Sequence, residues 1–236
     1  MNQDQASLSL ITVSTWVLPV LLAITLHEAA HGYVAWKLGD DTAKRQGRVS
    51  FNPLRHIDLY GTIIIPSLLV LLRFPILFGW AKPVPVNFAR LGHPRRDAIL
   101  VAAAGPGINL TIAFVAALLL HGPPLLPAGS VEWVKLNLLN AIFINLVLGV
   151  FNALPLPPLD GSRVLASLLP QGLARSFMDL DAYGLWIVLG VFFGLPLLLE
   201  QLGMEVNIFY WLIIAPVDWL TDWIGFLTAT RIVLPI

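Results

Sequence analysis

The sequence predicts an all-α polytopic membrane protein, with about five full transmembrane helices and one re-entrant helix/extended segment. Three observations carry this. Of 236 residues, 57% are hydrophobic and only 12% are charged, and mean hydropathy is +0.80, too apolar for a water-soluble domain. The apolar residues fall in runs long enough to cross about 30 Å of hydrocarbon. Lys and Arg gather in alternate loops, as membrane topology demands. Formal net charge is zero, so no nucleic-acid partner is indicated. The absence of cysteine excludes thiolate metal ligands, disulfides and a cysteine nucleophile, and leaves the compartment open. Eighteen prolines and eighteen glycines imply kinked and broken segments, tolerated in a membrane only where protein or a wet cavity covers the freed backbone.

The first span is 8–36. The preceding MNQDQASLSL lacks the basic start and small-residue cleavage site of a signal peptide, so the span is expected to be retained. The loop after it carries Lys37, Lys44, Arg45, Arg48 and Arg55. The positive-inside rule then puts this loop in the cytoplasm and the N-terminus outside, in the cell membrane. The next apolar run, 59–72, is short and interrupted by Pro66, and the loop from Lys82 to Arg96 is basic again. A single crossing would put that loop on the wrong side. Residues 59–86 are therefore expected to enter and return, with 59–72 helical and the Pro-rich and aromatic 74–86 coming back extended.

Residues 97–120 form a clear span, narrow at Ala102, Ala103, Ala104, Gly105 and Gly107, with Pro106 as a kink. Asn109 is its one strongly hydrogen-bonding side chain, and helix–helix bonding is the ordinary use of such a residue. A short outer loop, 121–135, leads to a span over 136–154. An amphipathic stretch, 163–170, and a polar loop follow. Residues 183–199 go outward and 206–226 return. The whole chain, 1–236, is expected to be one integral membrane unit, with a core over about 8–170 and a C-terminal helical pair over 183–230.

The first span carries the chemistry. His27, Glu28 and His31 stand in the order H-E-x-x-H. Ionisable groups deep in a membrane helix cost about 3 kcal/mol each on insertion scales, so they mark function more often than accident. Residues four apart share a helix face, so both imidazoles can reach one ion. Glu28 lies beside that face, where it could take a proton from a water activated by a divalent metal such as zinc. The competing reading is a pair of buried histidines satisfied by carbonyls.

A catalytic zinc takes three protein ligands. His56 and Asp58 sit at the rim of the first loop, while His93 and His121 lie in loops, His121 on the outer side. Asp160 lies at the inner end of an inward-running span, at the depth expected of the two histidines. It follows Pro155, Pro157 and Pro158 and precedes Gly161, residues that open a helix. Asp160 can be read as a ligand or as the N-cap of a helix starting near Ser162; with H-E-x-x-H elsewhere in the membrane, the ligand reading is preferred. Asn152 has two readings as well. Its amide could stabilise an oxyanion, or it could bond carbonyls freed before the prolines.

HEAAH in a first membrane helix, AGPGIN in a middle one and NALPLPPLDG at the end of another together resemble the site-2 protease family of intramembrane zinc metalloproteases. GWAKPVPVN and GRVSFNPLRHID extend the likeness to the compact bacterial and archaeal branch without a PDZ or CBS domain. The resemblance covers roughly 20–170. It implies Zn2+ held by His27, His31 and Asp160, with Glu28 as general base and acid and Asn152 as a helper near the scissile carbonyl. It also implies a transmembrane protein substrate met within the lipid bilayer, at a site toward the cytoplasmic side. A metal transporter or metal sensor is the alternative. The outer halves of the spans lack polar ligands for an ion path, and the loops have no His-rich tract.

Overall fold

The computed structural model describes residues 3–65, 68, 71–72, 81–123 and 126–234, with side chains from Val13 onward. Six helical elements organise it. Helix α1 is Gln3–Lys37, α2 is Pro94–Leu119, α3 is Ala128–Ala153 and α4 is Asp160–Leu168. A continuous helical run, α5, spans Gln171–Gln201, and α6 spans 208–228. No strand occurs among the described residues.

Four of these helices are long and apolar enough to cross a membrane: Val13–Lys37 within α1, then α2, α3 and α5. Chain and membrane together therefore define a multi-pass, all-α protein. The stretch 206–226, expected as a further span, is helical in α6 but is not among the four. The expected re-entrant course of 59–86 lies partly outside the described residues. What is described of it is helical from Leu59 to Ile65 and again at Leu68 and Leu71, the start capped by Asp58 accepting from the Gly61 N–H at 2.7 Å, and then a non-helical arm, 81–87.

Helices α1, α2 and α3 pack on one another in a three-helix core. Small residues make this possible: Ala23, Ala35, Ala102, Ala113 and Ala117 are almost wholly buried, so backbones approach closely where no hydrophobic effect drives helices together. Helix α6 covers the outer side of α2 and α3 with Ile213, Val217 and Ile224, which join Ile142 and Leu146 in one apolar cluster. By contrast, α5 turns Trp186, Leu197 and Leu198 outward, as lipid-facing side chains do. It touches the bundle at few places, among them the ring pair Phe151–Phe192 at 5.9 Å.

The arm 81–87 is held from several sides. Lys82 and Val84 each precede a proline, which favours extended backbone. The Lys82 N–H donates to the His56 carbonyl at 2.9 Å, and the buried Arg48 guanidinium donates to the Arg55, Lys82 and Pro83 carbonyls. At its far end the Asn87 N–H donates to Asp40 Oδ2 at 2.6 Å. Asp40 is fully buried and also accepts from the Thr42 N–H at 3.0 Å and the Thr42 hydroxyl at 2.5 Å.

Candidate active site

His27 and His31 lie on one face of α1, both 8% exposed. Each imidazole is anchored through Nδ1. His31 Nδ1 is 2.7 Å from the Val101 carbonyl of α2. A carbonyl only accepts, so the proton is on Nδ1 and the Nε2 lone pair is free. His27 Nδ1 is 2.6 Å from Asn109 Oδ1, which fixes that ring in the same sense.

Both Nε2 atoms meet the carboxylate of Asp160. They are 3.1 Å apart, and each is 3.2 Å from Asp160 Oδ2. Three acceptor atoms thus converge, all within 4.8 Å of one another. With both rings protonated on Nδ1, no ring proton lies between them, and Asp160 Oδ2 is buried with no hydrogen-bond donor. Such a set costs free energy unless a cation sits at its focus. Two imidazoles and one carboxylate suit zinc and leave a position for water. The three could hold a metal ion.

Local sequence explains how each arrives. Asp160 begins α4, whose N-cap is Leu159 and carries no side-chain cap, so its carboxylate is not spent on capping. Gly161 does not open the backbone by an unusual dihedral, as its place after the prolines suggested; its φ is not positive. It is small because a Cβ there would collide with the Ala153 and Leu154 carbonyls. That close approach sets the start of α4 against the end of α3. Gly105 serves the imidazoles likewise: a Cβ on it would fall against His31 Nε2 and 2.5 Å from His27 Cε1.

Glu28 stands beside this cluster. Its Oε2 accepts from the Val84 N–H of the arm at 2.8 Å. Two cavities flank it. One, of about 420 Å³, is lined by His27, His31, Asp160, Val84, Val86 and Arg163 among others. The other, of about 440 Å³, is apolar and lies between α1, α3 and α5, with Phe151, Leu185 and Val188 in its wall. Glu28, His27, Asn152 and Pro158 border both. Asn152 Nδ2 donates to the Leu148 carbonyl at 3.0 Å, one turn back in α3 rather than at the prolines.

The remaining candidates are elsewhere. His56 Nε2 pairs with the Ser50 carbonyl at 3.0 Å and His121 Nε2 with the Thr228 carbonyl at 2.9 Å. His93 is near Asp97 at 4.0 Å, and Glu200 and Glu205 are exposed. Sequence reasoning missed the direct contact of Asn109 with His27, and the roles of Gly105 and the Val101 carbonyl. The one signal for the first was an amide in an otherwise apolar helix.

A multi-pass α-helical fold with a buried His-His-carboxylate set and an adjacent glutamate defines an intramembrane zinc metalloprotease. Comparison with known proteins agrees. The model of peptidase family M50 matches residues 128–197. The "Putative zinc metalloprotease YwhC" of Bacillus subtilis is 43% identical over 188 residues, which cover 77% of this chain and 80% of that one. Proteins named Rip2, with the same zinc metalloprotease designation, are 31% identical in Mycobacterium tuberculosis and 29% in Mycolicibacterium smegmatis. They align over 81% and 71% of this chain and 70% and 62% of their own. No solved structure gives a significant match. The chain belongs to peptidase family M50, the site-2 protease family, and its activity is that of a zinc metalloprotease of the membrane.

Proposed function

We propose that this chain cleaves peptide bonds within or near transmembrane segments of membrane proteins, with His27, His31 and Asp160 as zinc ligands and Glu28 as general base and acid. The observation that carries the reading is the convergence of His27 Nε2, His31 Nε2 and Asp160 Oδ2 beside a carboxylate that borders the same cavity. When bound, zinc acidifies the attacking water and polarises the scissile carbonyl.

The chain's own residues do the rest. Glu28 accepts the proton of the attacking water and returns it to the leaving amine. The Val84 N–H keeps its carboxylate at the edge of the site. Asn152, on the wall between the two cavities, has an amide within the site's border and can assist the oxyanion. A helical substrate must be unwound before its carbonyl is reachable. Val84 and Val86 of the arm line the ligand-side cavity, and backbone there can pair with an opened strand. The apolar cavity faces α5 and suits large hydrophobic side chains.

The catalytic unit in this reading spans the whole chain, with its core at 8–170 and the pair 183–230 packed outside it. The site lies toward the cytoplasmic face of the cell membrane and the N-terminus lies outside. Contacts support one basic end: Arg90 pairs with Asp41 at 3.0 Å, Arg163 with Asp181 at 3.5 Å, and Arg95 donates to the Leu169 carbonyl. The test is purified protein in liposomes with a helical membrane substrate. Cleavage is expected to need zinc and to fall about 10²–10⁴-fold in Glu28→Gln with zinc content unchanged. Full cleavage by that variant would overturn the mechanism.

A further inference from the structure

Helix α3 buries an amide, Asn145, that contacts neither the ligand cluster nor either cavity, yet is 0% exposed. Its Nδ2 donates to the Ala141 carbonyl at 2.8 Å. Its Oδ1 accepts from Asn109 Nδ2 at 2.7 Å. Asn109, also 0% exposed, is 2.6 Å from His27 Nδ1 through its own Oδ1.

This chain of bonds has only one consistent polarity. The Ala141 carbonyl cannot donate, so the Asn145 amide must turn its nitrogen toward it. That leaves Asn145 Oδ1 facing Asn109, which must answer with a donor. Asn109 then has only its oxygen for His27, and His27 must carry its proton on Nδ1. The Nε2 lone pair is what remains for the cluster. A weaker contact, Asn109 Nδ2 to the Ala23 carbonyl at 3.4 Å, favours the same orientation but is long for a hydrogen bond. His31 needs no such relay, because the Val101 carbonyl fixes its ring directly.

We infer that Asn145 is a positioning residue for the metal centre: through Asn109 it sets the tautomer of His27, so that Nε2 is presented as a lone pair. The inference rests on His27 being a ligand. Burying two amides among apolar helices is costly unless both are fully bonded, and partners one step behind a metal-binding imidazole hold its tautomer and orientation. Here that hold extends a second step, from α3 through α2 to α1. With Asn145 lost, the Asn109 amide is free to rotate its nitrogen toward His27. Nδ1 would then have to accept, and the proton would move to Nε2, closing the lone pair to the metal.

The test compares the full-length parent with Asn145→Ala and Asn145→Asp. A protonated carboxyl at 145 donates through its O–H to the Ala141 carbonyl, as the amide does, and still accepts from Asn109, which preserves the polarity. Two readouts are taken: the ring tautomers of His27 and His31 in the metal-free protein by nitrogen NMR, and zinc affinity by chelator competition. In Asn145→Ala, His27 is expected to gain the Nε2–H form and zinc to bind roughly tenfold more weakly. His31 should keep its Nδ1–H form, which separates this effect from general unfolding. Asn145→Asp should match the parent in both readouts. An unchanged His27 tautomer in Asn145→Ala, or equal impairment in Asn145→Asp, would overturn the inference. His27→Ala is run alongside. Undiminished zinc affinity there would overturn the ligand reading itself, and the inference with it, whereas abolished binding with an unchanged tautomer in Asn145→Ala would overturn only the inference.

Discussion

Val84 gives its backbone N–H to Glu28 Oε2 at 2.8 Å, across 56 positions of sequence. Pro83 and Pro85 flank it, so no other N–H exists between Lys82 and Val86. Glu28, the proposed general base, is thus steered by a single backbone donor on a separate segment. Val84→Pro is expected to remove that donor and lower kcat by roughly a hundredfold, the scale of a misplaced catalytic group, with zinc content unchanged. Val84→Ala keeps the N–H and should retain most of the activity. Turnover of a helical substrate, alongside metal analysis, checks both.

Asp160 is the proposed zinc ligand most remote in sequence from the other two. Asp160→Ala should lose stoichiometric zinc and all cleavage while the bundle stays folded, because α1, α2 and α3 pack without it. Metal analysis of the purified variant is the measurement. Zinc retained at parental affinity would remove Asp160 from the ligand set.

Gly105 and Gly107 are two residues apart on α2 and differ sharply in surroundings. A methyl at 105 presses on both imidazoles, whereas a Cβ at 107 meets nothing within 4 Å. Gly105→Ala should impose strain of about 1–3 kcal/mol, seen as zinc affinity reduced by roughly tenfold or more. Gly107→Ala should bind zinc as the parent does. Chelator competition distinguishes them.

Asp40 is held below its ordinary pKa of 3.8: burial works against ionisation but is outweighed by donors from Thr42 and Asn87, with Arg90 adding its charge. A depressed carboxylate pKa contributes stability that is full above the unfolded value and fades as pH falls toward the folded one. Asp40→Asn should therefore lower stability by about 1–3 kcal/mol at neutral pH. The gap to the parent should hold steady from about pH 5 upward and narrow below about pH 4. Thermal unfolding in detergent across that range checks the sign.

Much of the site was legible because it is written in adjacent residues. H-E-x-x-H declares its own geometry through the helical period, and a carboxylate between three prolines and a glycine stands out in an apolar chain. The contacts between helices were not legible. Whether Asn109 faces His27 depends on the depth and rotation of α2 against α1, which local periodicity does not fix. The Val101 carbonyl that orients His31 belongs to a residue whose side chain carries no signal at all. Gly161 was legible as important and not as to why, since its reason is a neighbouring helix end. Three further amides of α3 besides Asn152, at Asn137, Asn140 and Asn145, were an available sign of polar links inside the bundle that the run of apolar residues around them concealed.

The alternating prolines of the arm also limit what a guest peptide can gain there. Lys82 and Val84 have already committed their N–H groups to His56 and Glu28, and Pro83 and Pro85 have none. A peptide laid along this edge finds few donors, each worth about 1 kcal/mol net. If substrate pairs with the arm as proposed, the grip is loose by construction: fragments would depart readily after scission, sheet growth along the arm would be discouraged, and tight capture would have to come from hydrophobic side chains instead.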